Sequence, residues 1–378
     1  MKYFVRNGYL IDPIFDNIFK NLPNWEKSNN ILEADFIYMP LKYSNETNYN
    51  IFSNAKYSNN FIDSNNKMCK LSDNCMNNKI KLYQILEKKD YIPKSYIFNK
   101  FNFYKFKNII KKNQIYILKP ESEFARKGMM IINNFESVEK HIRSESRNGW
   151  VFQKYITNPL LFKKKKFHIR VYSLVIRRND HLTAFVHKIG YVYLANKEFT
   201  LSSLEFDIHM TGAKYCNVHS FQEFKTYFGN KTFNHIWKQI KFIVQDSVSN
   251  FNKYNTFNLP NKDTAFHLFA YDILVDSNKK AFLLEINNGI IGFETLPMYK
   301  HMCVNKTNPQ MHPMDDLIKL FHDIVNLVIY NKNYDFEICL DTKSKYKYKY
   351  KYKYKFKFNY LLYIIIIILL MFFYNKLF

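Results

Sequence analysis

Three oxygen-bearing side chains interrupt two consecutive apolar segments between residues 266 and 288. Asp272 lies in FHLFAYDILVD, and Glu285 and Asn287 lie in the next segment, FLLEINN. Residues two apart in a strand share a face, so Glu285 and Asn287 point to one side, and Asp272 can join them from the preceding strand. A carboxylate inside an apolar strand is costly unless it is paired or binds a cation. Three hard oxygen ligands suit Mg²⁺ with phosphates completing its shell; the alternative is salt-bridged or edge-exposed acids.

Cationic side chains interrupt the apolar segments upstream. Lys119 ends IYILKP and Lys154 lies in VFQKYI, whereas Lys166, His168 and Arg170 alternate in KFHIRVY. Alternation puts those three on one strand face. Taken singly, each cation could instead extend its charged end into solvent from a half-exposed sheet. Taken together, a row of cations opposite an acidic metal site is the arrangement that a nucleoside triphosphate needs.

No glycine-rich phosphate motif accompanies these residues. Neither GxxxxGK[ST] nor GxGxxG occurs in the sequence. Between the apolar segments 115–118 and 129–132, however, Arg126 and Lys127 precede Gly128. The sequence there predicts a basic loop over phosphates, although this signal has little specificity by itself.

Hydrophobic periodicity predicts the elements that position these side chains. Strands are expected at 34–39, 96–98, 115–118, 129–132, 151–156, 167–176, 183–186, 266–275 and 281–286. Helices are expected at 11–22, 79–86, 135–143, 233–248 and 317–329. The closely spaced strands from 151 to 186 favour antiparallel pairing, and the last two strands read as a hairpin.

Composition limits the class of protein and of partner. The 378 residues are 47% hydrophobic and 18% aromatic, with 8 Gly and 10 Pro, which excludes collagen-like sequence and wholesale disorder. The formal net charge is +24. Residues 342–378 hold nine lysines and no acid, which leaves +15 on the rest of the chain. This charge predicts an anionic partner such as a nucleotide, a nucleic acid, an acidic peptide or a membrane surface.

Several of these segments together resemble one protein family. The matching stretches are YILKPESEFARKGM (116–129), VFQKYITNPLLFKKKKFHIRVYSLV (151–175), FDIHMTG (206–212) and FHLFAYDILVDSNKKAFLLEINN (266–288). In their order along the chain and in their residues, these stretches resemble the tubulin–tyrosine ligase-like family of ATP-grasp ligases, and the resemblance covers roughly residues 1–330. The resemblance implies an α/β (α+β) chain with the ATP-grasp fold, in which two subdomains hold ATP between antiparallel sheets.

Domain boundaries follow from this resemblance and from the composition of the tail. We expect a small N-terminal α/β domain at 1–90, a central ATP-grasp subdomain at 91–150, and a C-terminal subdomain with the metal site at 151–332. A low-complexity Lys/aromatic linker at 342–358 and a hydrophobic segment at 360–374 follow.

The resemblance also implies a role for each candidate residue. The residues implied to contact the nucleotide are Lys119, Lys127, Lys166 and His168. Those implied to form the adenine-side hinge are Gln153, Lys154, Tyr155 and Ile156. The implied catalytic residues are Arg170, Lys188 and Thr211, with Lys188 at the position of a family arginine. Asp272, Glu285 and Asn287 carry Mg²⁺, in agreement with the argument from their spacing.

The implied activity is ATP- and Mg²⁺-dependent ligation. Tyrosine, glutamate or glycine would be joined to an acidic protein tail, through an acyl phosphate, with tubulin and thus the microtubule as the expected acceptor. A body at +15 suits an acidic peptide electrostatically. Nucleic-acid binding is less attractive, because no recognised nucleic-acid module accompanies the basic charge.

Departures from the family pattern leave a second function open. His168 replaces a family Asp, Gly212 replaces the Asn of HLTN, and Arg126 replaces a Gly. The alternative is a degenerate ATP-grasp protein that binds nucleotide or acidic tubulin tails without turnover.

The C-terminal tail predicts a membrane contact. Residues 360–374 form a charge-free run of about 22 Å as a helix, short of a hydrocarbon core of about 30 Å. A buried core helix and an aggregating Ile-rich end are the alternatives. We expect a transmembrane anchor here, with the Lys-rich linker binding anionic lipid. The catalytic body is expected to be cytoplasmic with reduced cysteines, because no apolar leader begins the sequence and no Cys-x-x-Cys pair occurs.

Overall fold

The computed structural model describes the greater part of the chain. The described residues are 1–6, 11–39, 52, 54–59, 61, 75–111, 114–121, 128–144, 149–212, 217–260, 263–289 and 314–343. They all belong to the first of two compact units, Met1–Tyr348, the second being Lys349–Phe378. The expected anchor at 360–374, and the linker at 342–358 from residue 344 on, lie outside the described residues.

Strands and helices alternate irregularly along the described chain. The strands are β1 (Lys2–Val5), β2 (Glu26–Lys27), β3 (Phe36–Tyr38), β4 (Tyr57–Ser58), β5 (Ser95–Asn99), β6 (Tyr116–Pro120), β7 (Met130–Ile132), β8 (Gly149–Lys154), β9 (Leu161–Phe162), β10 (Lys165–Arg178), β11 (His181–Leu194), β12 (Val218–Ser220), β13 (Thr264–Val275), β14 (Ala281–Asn288) and β15 (Phe336–Asp341). The α-helices are α1 (Ile11–Lys20), α2 (Lys79–Ile85), α3 (Phe135–Ser144), α4 (Phe206–His209), α5 (Phe221–Phe228), α6 (Asn230–Asn252) and α7 (Met314–Tyr330). Two 3₁₀ helices span Ile31–Glu33 and Phe103–Asn108.

A large mixed sheet forms the centre of the described structure. Its order is β12-β11-β10-β13-β4-β3-β1-β2, with β14 paired to β13, β15 to β11 and β9 to β10. Strands β10 and β11 pair antiparallel, as their close spacing predicted, and so do β13 and β14 of the expected hairpin. Strand β10 also pairs antiparallel with β13, whereas the expected strand at 151–156, observed as β8, pairs with β5 and β6 instead. Asn179, with φ 51°, turns the chain between β10 and β11, and Asn tolerates this left-handed conformation better than most residues.

The first strands belong to this same sheet. β1 runs parallel to β2 and β3, and β4 runs parallel to both β3 and β13. Helices α1 and α7 cover these strands, with the rings of Phe15 and Phe321 4.9 Å apart. The expected N-terminal domain at 1–90 is therefore joined to the later strands by backbone hydrogen bonds.

Alternate residues of β10 point to opposite faces of the large sheet. Ile169 and Val171 pack into the core that contains α6, whereas Tyr172 and Leu174 pack into the core of α1 and α7. The second face continues back along the strand to Arg170, which lines a pocket instead of a core. One strand thus both builds the core and carries the cations.

A second, four-stranded antiparallel sheet has the order β5-β8-β6-β7. Helix α3 and the 3₁₀ helix Phe103–Asn108 pack on one face, where Phe98, Phe106, Trp150 and Phe152 form a buried aromatic core. The opposite face carries Lys119 and Gln153 toward the pocket. Two sheets around one pocket agree with the mixed α/β, ATP-grasp-like class expected from the sequence.

Two further expectations concern cysteines and membranes. Cys75 is disulfide-bonded, so the expectation that all the cysteines are reduced is wrong for this residue. Among the described residues, no helix combines the length and the apolar character that crossing a bilayer requires.

Candidate active site

One pocket collects nearly all of the predicted site residues. The small sheet contributes Lys119 and Gln153, and the large sheet contributes β10, β13 and β14 side chains. The predicted residues that line it are Lys119, Gln153, Lys154, Tyr155, Ile156, Lys166, His168, Arg170, Thr211, Asp272, Glu285 and Asn287. Lys127, with Arg126 beside it, lies outside the described residues, and Lys188 lies elsewhere.

The acidic group of the pocket comes from two paired strands. The register of β13 and β14 sets Asp272 opposite Glu285 and Ala270 opposite Asn287. The Asn287 amide nitrogen donates to Glu285 Oε1 at 3.1 Å and to Asp272 Oδ2 at 3.4 Å. Within the described ranges no cluster of three His, Cys, Asp or Glu side chains is suited to a metal. A cation here would therefore depend on two carboxylates and one amide oxygen.

Arg170 occupies both oxygens of Asp272. Its Nε donates to Oδ1 at 2.8 Å and its Nη2 to Oδ2 at 2.7 Å, and both side chains are buried. Burial acts to lower the pKa of Arg170, but the Asp272 carboxylate and neighbouring tyrosines outweigh it and hold the pKa well above its usual range. The pair is a bidentate, charge-assisted contact of the strong kind.

Lys119 and Lys166 place two buried ammonium groups in the pocket. Lys119 donates to Gln153 Oε1 at 2.8 Å and to Tyr83 Oη at 3.1 Å, and Lys166 donates to Tyr155 Oη at 2.9 Å. Burial lowers the pKa of Lys119 to about 8, against the opposing pull of Glu285 and Asp272. Burial, and then the charge of Lys119, lowers the pKa of Lys166 to about 7.

These two lysines fit a polyanionic ligand. Among the described residues neither has a carboxylate within salt-bridge distance, although both are buried. A buried cation without a counter-ion is unfavourable, and a bound anion removes that cost. The pocket therefore suits a polyanionic ligand, such as the phosphates of a nucleotide, on the wall that carries these two lysines.

The segment Gln153–Ile156 forms one edge of the pocket. The Gln153 amide is fixed between Lys119 and Ser95 Oγ. The backbone N–H groups of Lys154 and Tyr155 donate to Lys94 and Ile115 carbonyls. In the described part of the chain no backbone bond engages the N–H of Ile156. That group remains open to a ligand at the edge predicted to hold adenine.

His168 forms a wall with two residues from other segments. Its Nδ1 shares a 2.5 Å hydrogen bond with Thr211 Oγ1, and its ring stacks on Tyr193 at 4.9 Å with an interplanar angle of 4°. Its Nε2 is 3.7 Å from Asp272 Oδ1. The antiparallel register explains the stack, because Tyr193 is the β11 partner of His168.

Sequence reasoning missed several residues that contact the predicted ones, including Lys79, whose Nζ is 3.8 Å from Glu285 Oε2. Tyr193 stands in the alternation of Tyr191 and Tyr193 on β11, a pattern that indicates one shared face. His209, whose Nδ1 accepts from Tyr155 Oη at 2.7 Å, lies within the FDIHMTG stretch that carries the resemblance. Tyr83 lies on α2, which begins at the Asn78 cap, and its hydroxyl donates to the Leu284 carbonyl. No sequence signal links Tyr83 to the site.

Lys188 is the described candidate that the structure does not bring into the pocket. Its Nζ is 3.3 Å from Asp335, and 54% of its side chain is exposed. It lies in the stretch 187–189, where β11 bulges against β10: Val171 pairs with Gly190 and Ser173 with Val186. The bulge and the Asp335 contact direct Lys188 away from Arg170, and the structure gives no support to its predicted catalytic role.

The chain is similar in sequence to one family of known proteins. The sequence model described as the Tubulin-tyrosine ligase family matches residues 55–289. The chain is 27% identical over 202 residues to "Probable alpha-tubulin polyglutamylase Ttll1" of Tetrahymena thermophila, covering 46% of this chain and 48% of that protein. It is 26% identical over 222 residues to "Probable tubulin polyglutamylase ttll-9" of Caenorhabditis elegans, covering 52% of each.

A third relative carries a different name. The chain is 26% identical over 195 residues to "Tubulin glycylase 3C" of Tetrahymena thermophila, covering 47% of this chain and 18% of that protein. The chain thus spans about half the length of the first two relatives and much less of the third.

Proposed function

Because the chain belongs to the tubulin-tyrosine ligase family, we propose that it is an ATP- and Mg²⁺-dependent ligase that joins an amino acid to an acidic protein tail. One observation carries the proposal: the buried ammonium groups of Lys119 and Lys166 face the acidic group of Asp272 and Glu285 across a single pocket. Such a pocket satisfies the opposite charges of a nucleoside triphosphate and its metal.

Each wall of the pocket has its own part in the proposal. Lys119 and Lys166 bind the phosphates, and the edge Gln153–Ile156 receives the adenine. Asp272, Glu285 and Asn287 hold Mg²⁺, which neutralises phosphate charge when bound. Arg170, released in part from Asp272, orients a carboxylate through its planar fork.

The reaction proposed is two-step. An oxygen of the acceptor carboxylate attacks the γ-phosphorus of ATP, the bond to the β-phosphate oxygen breaks, and ADP departs, leaving an acyl phosphate. The amine of the incoming amino acid then attacks the acyl carbon, inorganic phosphate leaves, and the amine gives up a proton as the amide forms. Catalysis by this chain rests on positioning and charge stabilisation, since no nucleophilic side chain is required.

Glutamate is the amino acid we favour, with glycine next. The first two relatives are named as tubulin polyglutamylases and the third as a tubulin glycylase. Tubulin is accordingly the acceptor we propose. Tyrosine, the first of the three amino acids expected from the sequence, has no support in those names.

A binding protein without turnover is the second candidate. The observation that favours it is the Arg170–Asp272 contact, because it engages both oxygens of a proposed metal ligand. His168 adds a second nitrogen 3.7 Å from the same carboxylate. In this candidate Mg²⁺ binding is weak, and the pocket holds nucleotide or an acidic tail only.

One experiment separates the two candidates. The full chain is incubated with tubulin, Mg-ATP and radiolabelled glutamate, glycine or tyrosine in turn, and a Glu285→Gln variant serves as control. Label in tubulin that depends on ATP and on Glu285 supports the ligase. ATP binding by calorimetry without incorporation of any label supports the binding protein instead.

The hydrophobic tail is a separate matter. The membrane anchor expected at 360–374 stays a prediction, and so does a cytoplasmic body with a membrane-bound end. Fractionation of the full chain and of a chain ending at Thr342 tests both. Two soluble products contradict the anchor, and release of the full chain by high salt indicates a charge-held contact.

A further inference from the structure

The ammonium group of Lys119 lies among three neutral oxygen acceptors. Its Nζ donates to Gln153 Oε1 at 2.8 Å, to Tyr83 Oη at 3.1 Å and to the Leu284 carbonyl at 3.4 Å. An ammonium group has three N–H donors, so these three contacts account for all of them. A phosphate that binds Lys119 must therefore take the place of one of these acceptors.

The direction of the Tyr83 hydroxyl is fixed by its other partner. The hydroxyl is hydrogen-bonded to the Leu284 carbonyl, which can only accept, so the proton of the hydroxyl points to that carbonyl. The lone pairs of Oη are then left for the ammonium of Lys119. Burial raises the pKa of Tyr83 well above its usual range, so the hydroxyl keeps this proton. The ring is buried in the core that contains α6, which holds the hydroxyl in place.

A β-bulge in β14 supplies the Leu284 carbonyl. The register with β13 shifts at this point, so that Leu284 is one extra residue between Leu283 and Glu285, which both have partners. The extra residue of a bulge is left unpaired in the ladder. The carbonyl of Leu284 instead accepts from the side chains of Tyr83 and Lys119. The bulge thus joins the lysine of the small sheet to the strand that carries Glu285.

The Leu284 contact is the one that a phosphate replaces most readily. It is the longest of the three contacts of Lys119 and lies beyond the usual range of an N–H···O hydrogen bond. When Lys119 leaves this carbonyl, the carbonyl still accepts from Tyr83, so no buried acceptor loses its last partner. The two shorter contacts, to Tyr83 and Gln153, continue to hold the ammonium.

We propose that Tyr83 is a positioning residue for the phosphates of the nucleotide. Its hydroxyl, held by the Leu284 carbonyl, keeps the Lys119 ammonium in place while one N–H of that ammonium passes from the carbonyl to a phosphate oxygen. This inference rests on the proposed function, because it takes a nucleotide as the anion. A neutral acceptor suits this task, since a carboxylate in its place would neutralise the charge that the phosphate needs. The alternative is a tyrosine that only fills the core.

Calorimetry on the full chain compares Mg-ATP with adenosine, which has no phosphate. Tyr83→Phe keeps the ring and removes the hydroxyl, so the affinity for Mg-ATP falls about tenfold, whereas the affinity for adenosine changes by less than about twofold. The matched control is Tyr91→Phe, which removes a buried hydroxyl that donates to Asp246, away from the residues that line the pocket. It leaves both affinities unchanged. Equal losses for Mg-ATP and adenosine in Tyr83→Phe indicate a core role and overturn the positioning role.

A double-mutant cycle tests whether Tyr83 acts through Lys119. Lys119→Met weakens the binding of Mg-ATP by itself. Adding Tyr83→Phe to this variant weakens binding by less than about twofold further, because the hydroxyl then has no ammonium to hold. A further loss as large as the one that Tyr83→Phe causes in the wild type shows that Tyr83 acts independently of Lys119, and overturns the proposal.

A crystal structure of the wild-type chain with a non-hydrolysable ATP analogue gives a test that does not depend on how the variants fold. Lys119 Nζ is expected within about 3.2 Å of a phosphate oxygen and of Tyr83 Oη, and beyond about 3.5 Å from the Leu284 carbonyl. An ammonium that leaves Tyr83, or that keeps the carbonyl, overturns the positioning role. ATP binding that ignores the Tyr83 hydroxyl also overturns it and leaves the ligase intact. ATP binding that depends on this hydroxyl without any turnover contradicts the ligase and leaves the positioning role standing.

Discussion

Arg170 and Asp272 are directly opposite each other on paired strands, and the guanidinium donates hydrogen bonds to both carboxylate oxygens within the pocket. The antiparallel register of β10 and β13 forces this proximity. Since a buried charge that loses its partner is far more costly than an intact pair, the contact governs both stability and access of a cation to Asp272.

Asp272→Ala is expected to destabilise the free protein strongly. It leaves the Arg170 charge buried without its carboxylate, so the free energy of unfolding falls by about 3–5 kcal/mol. Urea unfolding monitored by circular dichroism measures it. Asp335→Ala, which removes a partly exposed partner of Lys188 and Lys319, serves as the control and costs about 1 kcal/mol or less. Equal losses of unfolding free energy in the two variants would show that the Arg170–Asp272 pair contributes no more to stability than a partly exposed ion pair does.

Glu285→Gln is expected to abolish turnover and spare the fold. Glu285 is partly exposed, and its nearest cation, Lys79, is 3.8 Å away, so little stability rests on it. Its charge is needed only for the metal. Ligase assays across a Mg²⁺ series and thermal unfolding give the two readouts. Wild-type turnover by the variant would refute the metal assignment.

Nucleotide binding is expected to take up protons near neutral pH. The pKa of Lys166 is about 7 and that of Lys119 about 8, so both lose charge as pH rises through 7 to 9. A bound phosphate favours the charged forms and raises both pKa values. Affinity for ATP therefore falls as pH rises through this window. Calorimetry in buffers of different ionisation enthalpy reports the uptake, which Lys166→Met reduces; buffer-independent heats would rule it out.

The same lysine predicts an opposite trend for stability. The pKa of Lys166 falls from 10.5 unfolded to about 7 folded, so between these values the folded state binds fewer protons than the unfolded chain. Through this group, the free energy of unfolding rises as pH rises across that interval. The contribution of Lys166 is isolated by measuring the free energy of unfolding of the wild type and of Lys166→Met across this pH range. The difference between the two free energies is expected to narrow toward alkaline pH, because the lysine is then neutral in the folded protein. A constant difference would contradict burial of the charged amine.

Restoring the family residues at 168 and 212 is expected to raise turnover. Gly212 has φ 70°, a conformation that Asn tolerates, so Gly212→Asn fits the backbone. His168→Asp gives up the Tyr193 stack and places a second carboxylate near Asp272. That carboxylate is unfavourable without a cation, so the double variant unfolds at a higher temperature when Mg²⁺ is added. Unchanged rates with unchanged Mg²⁺ dependence would argue against both assignments.

Strand alternation predicted much of the site because it depends only on backbone geometry. Lys166, His168 and Arg170 were expected on one face, and all three line the pocket. Asp272 was expected beside Glu285, and the two are direct register partners. Such neighbours follow from a two-residue period and a hairpin.

The remaining features depend on information that periodicity lacks. Lys188 was assigned to the site by the resemblance alone, and its contact with Asp335, at the irregular stretch of β11 between Val186 and Gly190, has no counterpart in the alternation. Tyr83 reaches Leu284, 201 residues later in the sequence, and no local pattern encodes that contact. The contact between Arg170 and Asp272 likewise depends on the pairing of β10 with β13, and the composition of neither strand predicts that pairing.

The parallel pairing of β4 with β13 has a consequence for biosynthesis. Tyr57 and Ser58 pair with Thr264 and Ala265, so the two paired segments are more than two hundred residues apart in sequence. During synthesis, β4 therefore leaves the ribosome long before β13 does. Until then β1, β3 and β4 form a small sheet with an open edge, and such edges template aggregation. Contacts this distant in sequence also slow folding. Nascent chains that end before Thr264 should therefore depend on chaperones more heavily than chains that extend past Val275.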